Sequence, residues 1–115
     1  MNYFIFPDID TTIYQASGSS NAGLDEILEI RKDMSTAGSN VKVSRILIKF
    51  DLNEISKLVA NGSITNPKYY LNMFDAKSEN LSVSQSLYAY PISGSWLEGQ
   101  GTAHDDPVTL EGASW

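Results

Sequence analysis

The sequence feature that most constrains this chain is a series of short segments rich in β-branched and aromatic residues, separated by clusters of Gly, Ser, Asn and Pro. Such segments favour strands and such clusters favour turns. Six segments are predicted to be strands: 3–6, 11–15, 26–32, 44–50, 68–76 and 84–90. A chain of 115 residues supports a single domain, 1–115, with one core. We therefore predict an all-β fold, an antiparallel, jelly-roll-like β-sandwich with one short helix.

The alternation of apolar residues in segment 44–50 predicts which face of that strand is buried. Ile46, Ile48 and Phe50 share one parity, so the even positions are expected to face the core. The period then changes, because apolar residues recur at helical spacing between Leu52 and Val59. We predict a short helix there, capped by Asn53 and followed by Gly62.

Composition excludes several classes of function. The chain has no Cys, which excludes disulfides and thiolate chemistry, and its single His removes most acid–base triads. A net charge of -6 with only eight Lys and Arg argues against a nucleic-acid surface. No apolar run approaches the roughly 18 residues that span a bilayer, and the N-terminus lacks the basic residues of a signal peptide. We predict a protein that is not an enzyme and is made in a cytoplasm.

One acidic loop is the best candidate for a metal site. His104, Asp105 and Asp106 follow one another, and Glu98 and Glu111 are near in sequence. Calcium suits carboxylate and carbonyl oxygens, whereas zinc would want more His or Cys. Asp105 and Asp106 are thus weak calcium candidates; Asp8 and Asp10 could join them only if the two ends of the chain meet. The alternative is an ordinary Asp-Asp-Pro turn, with no cofactor at all.

Aromatic side chains are the other candidate site. Tyr and Trp serve as core residues, as anchors of protein interfaces and as platforms for sugars, and all three roles stay open here. Trp96, in a glycine-rich loop, is expected to fold back over the edge of the core. The residues predicted to contact a subunit or a glycan are Tyr88, Tyr90, Trp96 and Trp115, with Tyr69 and Tyr70 in the same aromatic set.

Several motifs in order resemble one family. The chain reads NAGLDEILEI at 21–30 and SRILIKFDL at 44–52, then YLNMF at 70–74, LYAYPI at 87–92 and SWLEG at 95–99. This order resembles the DNRLRE-type β-sandwich modules over the whole chain. The stretches at 3–7, 10–14 and 112–115 look like the N-terminal region of phage virion and tail-fibre proteins that carry this module. Because modules of this family continue past the second Ser-Trp, we expect a longer polypeptide.

The motif residues also have physical roles of their own. Asn21 and Gly23 suit a tight turn with positive φ. Arg45 can pair with an acid across the sheet, and Asp51 can accept backbone amides where the strand ends and the helix begins. These roles predict that the motif determines the fold and is not itself a binding site.

The resemblance implies a structural protein of a phage virion, a tail- or fibre-associated module for subunit attachment and assembly. The expected partners are other virion proteins, in a homo-oligomer or a hetero-assembly, and the expected location is the virion. The alternative is a carbohydrate-binding or adhesin module that recognises a host-surface glycan through its Tyr and Trp side chains. Neither hypothesis involves binding of nucleic acid or a membrane span.

Overall fold

The computed structural model describes residues 2–34, 41–78, 84, 86–102 and 111–115. The regular elements come in the first half of the chain: strand β1 at Pro7–Tyr14, a short 3-10 helix at Gln15–Ser17, strand β2 at Lys32–Met34, strand β3 at Val41–Phe50 and helix α1 at Asn53–Ala60. The remaining described residues belong to no helix or strand.

The three strands form one antiparallel sheet in the order β1-β3-β2. In the longer pairing, Asp10 faces Ile48 and Thr12 faces Ile46, and the register shifts between Pro7 and Ile9. β2 pairs only through its three residues, with Lys32 opposite Val43. The central strand β3 is therefore the one that organises the sheet.

Helix α1 confirms the predicted helix, with one change at its start. Leu52 is the N-cap and Asn53 is the first helical residue. The Asp51 carboxylate accepts the Asn53 backbone N–H at 2.9 Å, as predicted for this Asp. At the other end Gly62 adopts φ 78°, and its N–H donates to the Val59 carbonyl at 3.1 Å. The predicted glycine stop is thus confirmed.

The strand predictions were right where two segments pair with each other and wrong elsewhere. Segment 44–50 lies within β3, and most of 11–15 lies within β1, which begins earlier, at Pro7. Segment 3–6 is not a strand, and 26–32 contributes only its last residue to β2. Segment 68–76 and the described residues of 84–90 form no strand either. High strand propensity does not make a strand without a neighbour to supply the hydrogen bonds.

The predicted β-sandwich is wrong. A sandwich buries the apolar faces of two packed sheets, whereas the part of the chain that the structure describes contains one three-stranded sheet. Among the described residues, the only fully buried apolar side chain is Ala22, at 1% exposure; the other buried residues are the polar Thr11, Thr12, Asn21 and Ser44 and the glycine Gly101. Ile46, Ile48 and Phe50 are half-buried while Arg45 and Lys49 are exposed, but Leu47 on the other face is half-buried too, so the predicted alternation is only partly observed.

The surface of the chain is large for its mass. Its accessible area is 9719 Å², whereas a compact monomer of 12.6 kDa exposes about 6,200 Å². The radius of gyration is 17.0 Å, against about 13 Å for a compact domain of this length. About 3,500 Å² of surface that compact folding would remove therefore remains accessible on the single chain.

Candidate functional site: a polar junction and an exposed apolar surface

The buried Asn21 side chain joins three distant parts of the chain. Its Nδ2 donates to the Glu98 carbonyl at 2.7 Å and to the Ala113 carbonyl at 3.1 Å. Its Oδ1 accepts the Gly23 N–H at 3.2 Å and the Gly101 N–H at 2.9 Å. All four hydrogen-bonding positions of the amide are occupied, so Asn21 holds loops from both ends of the chain together. We call this cluster the Asn21 junction.

Glycines allow the backbones of the Asn21 junction to approach closely. A Cβ on Gly23 would overlap the carbonyl oxygens of Glu98 and Gly99. Gly99 and Gly112 adopt φ 84° and 102°, in the region that favours glycine. The prediction of a positive φ at Asn21 or Gly23 was therefore wrong: the positive φ values occur in the loops that pack against them.

Asp10 and Glu98 meet beside the Asn21 junction. The Glu98 carboxylate accepts the Asp10 backbone N–H at 2.9 Å. Burial raises the pKa of the Asp10 carboxyl above its ordinary value, and the nearby Glu98 charge raises it further. The sequence-based hypothesis joined Asp8 and Asp10 to Asp105 and Asp106 on the condition that the chain ends meet; the contact that the structure describes is between Asp10 and Glu98.

A metal site is not formed by these acids alone. Among residues 2–34, 41–78, 84, 86–102 and 111–115, no group of three His, Asp or Glu side chains is close enough to hold an ion. The predicted calcium candidates Asp105 and Asp106 lie, with His104, outside the described residues. Glu111 is exposed, and its carbonyl lies near Gly99. The calcium prediction therefore stays a prediction.

Polar side chains fasten residues 29–31 to one face of the sheet. Ser44 Oγ donates to the Glu29 carbonyl at 2.6 Å and accepts the Arg31 N–H at 2.7 Å. Thr12 Oγ1 accepts the Glu29 N–H at 3.0 Å, and the Tyr14 hydroxyl donates to the Glu29 carboxylate at 2.9 Å. Burial, then the Glu29 hydrogen bond and charge, raise the pKa of Tyr14 to about 12. Side-chain hydrogen bonds thus replace the strand predicted at 26–32.

The Arg45 guanidinium lies over the Trp115 ring, 4.5 Å from its centroid. Arg45 follows Ser44, so in a strand it faces the opposite side of the sheet, which Trp115 partly covers. Its cross-strand neighbour on β1 is Ile13, so the acid predicted across the sheet is replaced by an aromatic ring. Trp115 remains 39% exposed and Trp96 is half-buried, which is consistent with the loop packing expected for Trp96.

The exposed apolar residues concentrate in two segments. Of the twenty large apolar side chains that are exposed among the described residues, nine lie in 69–74 and 87–92. Phe74 is 97% exposed, and Tyr88 and Tyr90 are 77% and 78% exposed. The Tyr88 and Tyr90 rings stack with centroids 6.5 Å apart and planes 22° apart. Tyr88 and Tyr90 are thus accessible, as a contact role requires, whereas Trp96 is less so.

A groove that sequence reasoning missed lies between the N-terminal residues and helix α1. It has a volume of about 290 Å³ and is lined by residues 3–6, Ile55 and Leu58, with the acidic Asp51 and Glu54 at its side. Helix α1 has no fully buried residue. Its amphipathic pattern was visible in the sequence, but the segment that packs near it was predicted to be a strand of the sheet.

Comparisons with known proteins add no relative. No family description, curated protein or solved structure matches the chain. The likeness to DNRLRE-type modules therefore stays a prediction from motifs. Within the described residues, no helix is long and apolar enough to cross a bilayer.

Proposed function

We propose that this chain is a structural protein of a phage virion, a tail- or fibre-associated module that attaches neighbouring subunits during assembly. The observation that carries the proposal is the apolar surface left accessible on the single chain. Twenty large apolar side chains are exposed among the described residues, and the chain exposes about 3,500 Å² more total surface than a compact monomer of its mass, several times the roughly 800 Å² that each partner contributes to a standard protein interface. Nine of these side chains lie in the short segments 69–74 and 87–92, and clustered exposed apolar residues are typical of interaction sites.

The order of motifs supports the same role from an independent direction. Five stretches resemble DNRLRE-type modules, namely 21–30, 44–52, 70–74, 87–92 and 95–99. The residues at 3–7, 10–14 and 112–115 look like phage virion and tail-fibre proteins that carry such a module. The first two of the five stretches contribute to the Asn21 junction and strand β3, which hold the chain together. The next two carry the exposed aromatic residues. Under this proposal the former build the module and the latter contact its neighbours, and the chain catalyses no reaction.

Immunogold electron microscopy tests this proposal on phage particles purified from a lysate. Antibodies against this chain should place gold at discrete sites on tails or fibres, and pre-immune antibodies should leave the particles bare. Unlabelled particles together with free protein in the medium would refute a virion role. The position of the gold also identifies the neighbouring proteins.

A second candidate function, recognition of a surface glycan, is favoured by the stacked and exposed Tyr88 and Tyr90 rings. Aromatic faces of this kind can stack on sugar rings. A glycan array probed with the full chain would test it. Signal that Tyr88→Ala abolishes, and that Tyr3→Ala at another exposed tyrosine leaves intact, would favour the glycan role over attachment through protein contacts.

A further inference from the structure

Segment 68–76 was predicted to be a strand, and every residue in it is exposed. Tyr69, Tyr70, Leu71, Met73 and Phe74 are all exposed, and no residue of the segment belongs to a strand. In a strand, alternate residues would face opposite sides, with Tyr70 and Phe74 on one and Leu71 and Met73 on the other. Both faces would then be apolar, which is typical of a strand inside a sheet rather than at a solvated edge.

The segment is complementary to itself when two copies run antiparallel. A two-fold axis normal to a sheet requires that residues of equal parity face each other, because cross-strand partners point to the same side. With the axis at Asn72, Tyr70 faces Phe74 and Leu71 faces Met73, each pair occurring twice. Tyr69 faces Asp75, where a phenol hydroxyl can donate to the carboxylate, and no like charges are opposed.

Neighbouring registers lose this match. Moving the axis to Leu71 places Phe74 opposite Lys68 and Tyr70 opposite Asn72. Moving it to Met73 places Leu71 opposite Asp75. The register centred on Asn72 is the one of these three that pairs every large apolar residue from 70 to 74 with another.

We infer that segment 68–76 pairs antiparallel with the same segment of a second copy of this chain, about a two-fold axis through Asn72. This rests on the proposed assembly function and names its first partner. The surface that the chain exposes beyond a compact monomer of its mass, about 3,500 Å² of polar and apolar area together, exceeds the roughly 1,000–2,500 Å² that each partner contributes to an obligate homo-oligomer interface. Two-fold dimers are the commonest closed assembly of identical chains.

Disulfide trapping tests the register directly, because the chain has no cysteine of its own. In Asn72→Cys, the two introduced thiols face each other with Cα atoms about 4.5–5.5 Å apart, within the usual disulfide range. In the matched control Lys68→Cys, residue 68 faces Ala76 of the other copy. Its own counterpart then lies about 27 Å away, eight residues along the strand.

Under mild oxidation at micromolar protein, the Asn72→Cys chain should form a covalent dimer about 1,000-fold faster than Lys68→Cys, because pairing raises the local thiol concentration from the micromolar to the millimolar range. Equal rates for the two variants would overturn the inference. Phe74→Asp, at a fully exposed position, should make the chain monomeric in sedimentation equilibrium without changing its tryptophan fluorescence. A dimer that survives Phe74→Asp would place the contact elsewhere and likewise refute it.

These outcomes separate the inference from the function on which it rests. A chain that labels phage tails but does not cross-link through Asn72→Cys contradicts the homotypic pairing and leaves virion attachment standing. A chain that cross-links but never labels particles contradicts the virion role and leaves the pairing standing.

Discussion

Replacement of Asn21 by alanine should cost more stability than any exposed substitution in this chain. The change removes four hydrogen bonds, of 2.7, 3.1, 3.2 and 2.9 Å, and leaves two carbonyl oxygens and two backbone N–H groups without that partner. At a net value of about 1 kcal/mol for each bond, the expected loss is about 4 kcal/mol. A domain of this length has roughly 6–17 kcal/mol in all, so a large share of the stability is at stake.

Two further variants give this prediction its controls. Asn21→Asp keeps the oxygen that accepts the Gly23 and Gly101 N–H groups. It places a second oxygen, in place of the donating Nδ2, opposite the Glu98 and Ala113 carbonyls. Those two hydrogen bonds are lost and are replaced by repulsion between oxygens. Asn53→Ala changes an exposed helical asparagine and should shift stability by less than about 0.5 kcal/mol. Urea unfolding followed by tryptophan fluorescence measures all three. An Asn21→Ala variant as stable as Asn53→Ala would refute the role of the junction.

Three other predictions concern the same region. Gly23→Ala should destabilise the chain strongly in urea unfolding, because its methyl group would overlap the Glu98 carbonyl; a variant as stable as the parent would contradict the close approach. Because the pKa of Asp10 is raised in the folded state, the ionised carboxylate destabilises the folded chain. This loss of folding stability develops as pH rises above 3.8. Asp10→Asn should therefore be more stable than the parent at neutral pH, with the difference vanishing below pH 3.8. The pKa of Tyr14 rises from 10.0 to about 12 in the folded chain. The contribution of the protonated Tyr14 phenol to folding stability is therefore present below pH 10 and is lost between pH 10 and 12. A tyrosinate absorbance titration that subtracts Tyr14→Phe from the parent should show this late ionisation, and an ordinary midpoint for Tyr14 would contradict it.

The parts of the fold that could be predicted are those that depend on neighbours in sequence. β3 follows from its own alternation, and α1 follows from apolar spacing, the Asp51 carboxylate and the Gly62 stop. Segment 68–76 was also predicted to be a strand from its aromatic residues, but it has no pairing partner in the described chain. Propensity alone could not distinguish it from β3, because pairing is a non-local property.

The candidate site was predictable only in part. The sequence identified Asn21 and Gly23 as a motif but assigned them a local turn, whereas the Asn21 amide reaches residues 77 and 92 positions away. The exposure of Tyr88 and Tyr90 agrees with a contact role, but only the folded chain could separate them from the half-buried Trp96.

Hydroxyl-radical footprinting with mass spectrometry tests the central claim most directly, namely that the exposed apolar surface of this chain is covered when it assembles. The full chain at low concentration would be compared with the same chain in purified phage particles. Tyr70, Phe74 and Tyr88 should react quickly in the dilute chain and be protected in the particles, whereas half-buried Tyr14 should react equally in both. Equal reactivity of Tyr70, Phe74 and Tyr88 in the two samples would contradict the account.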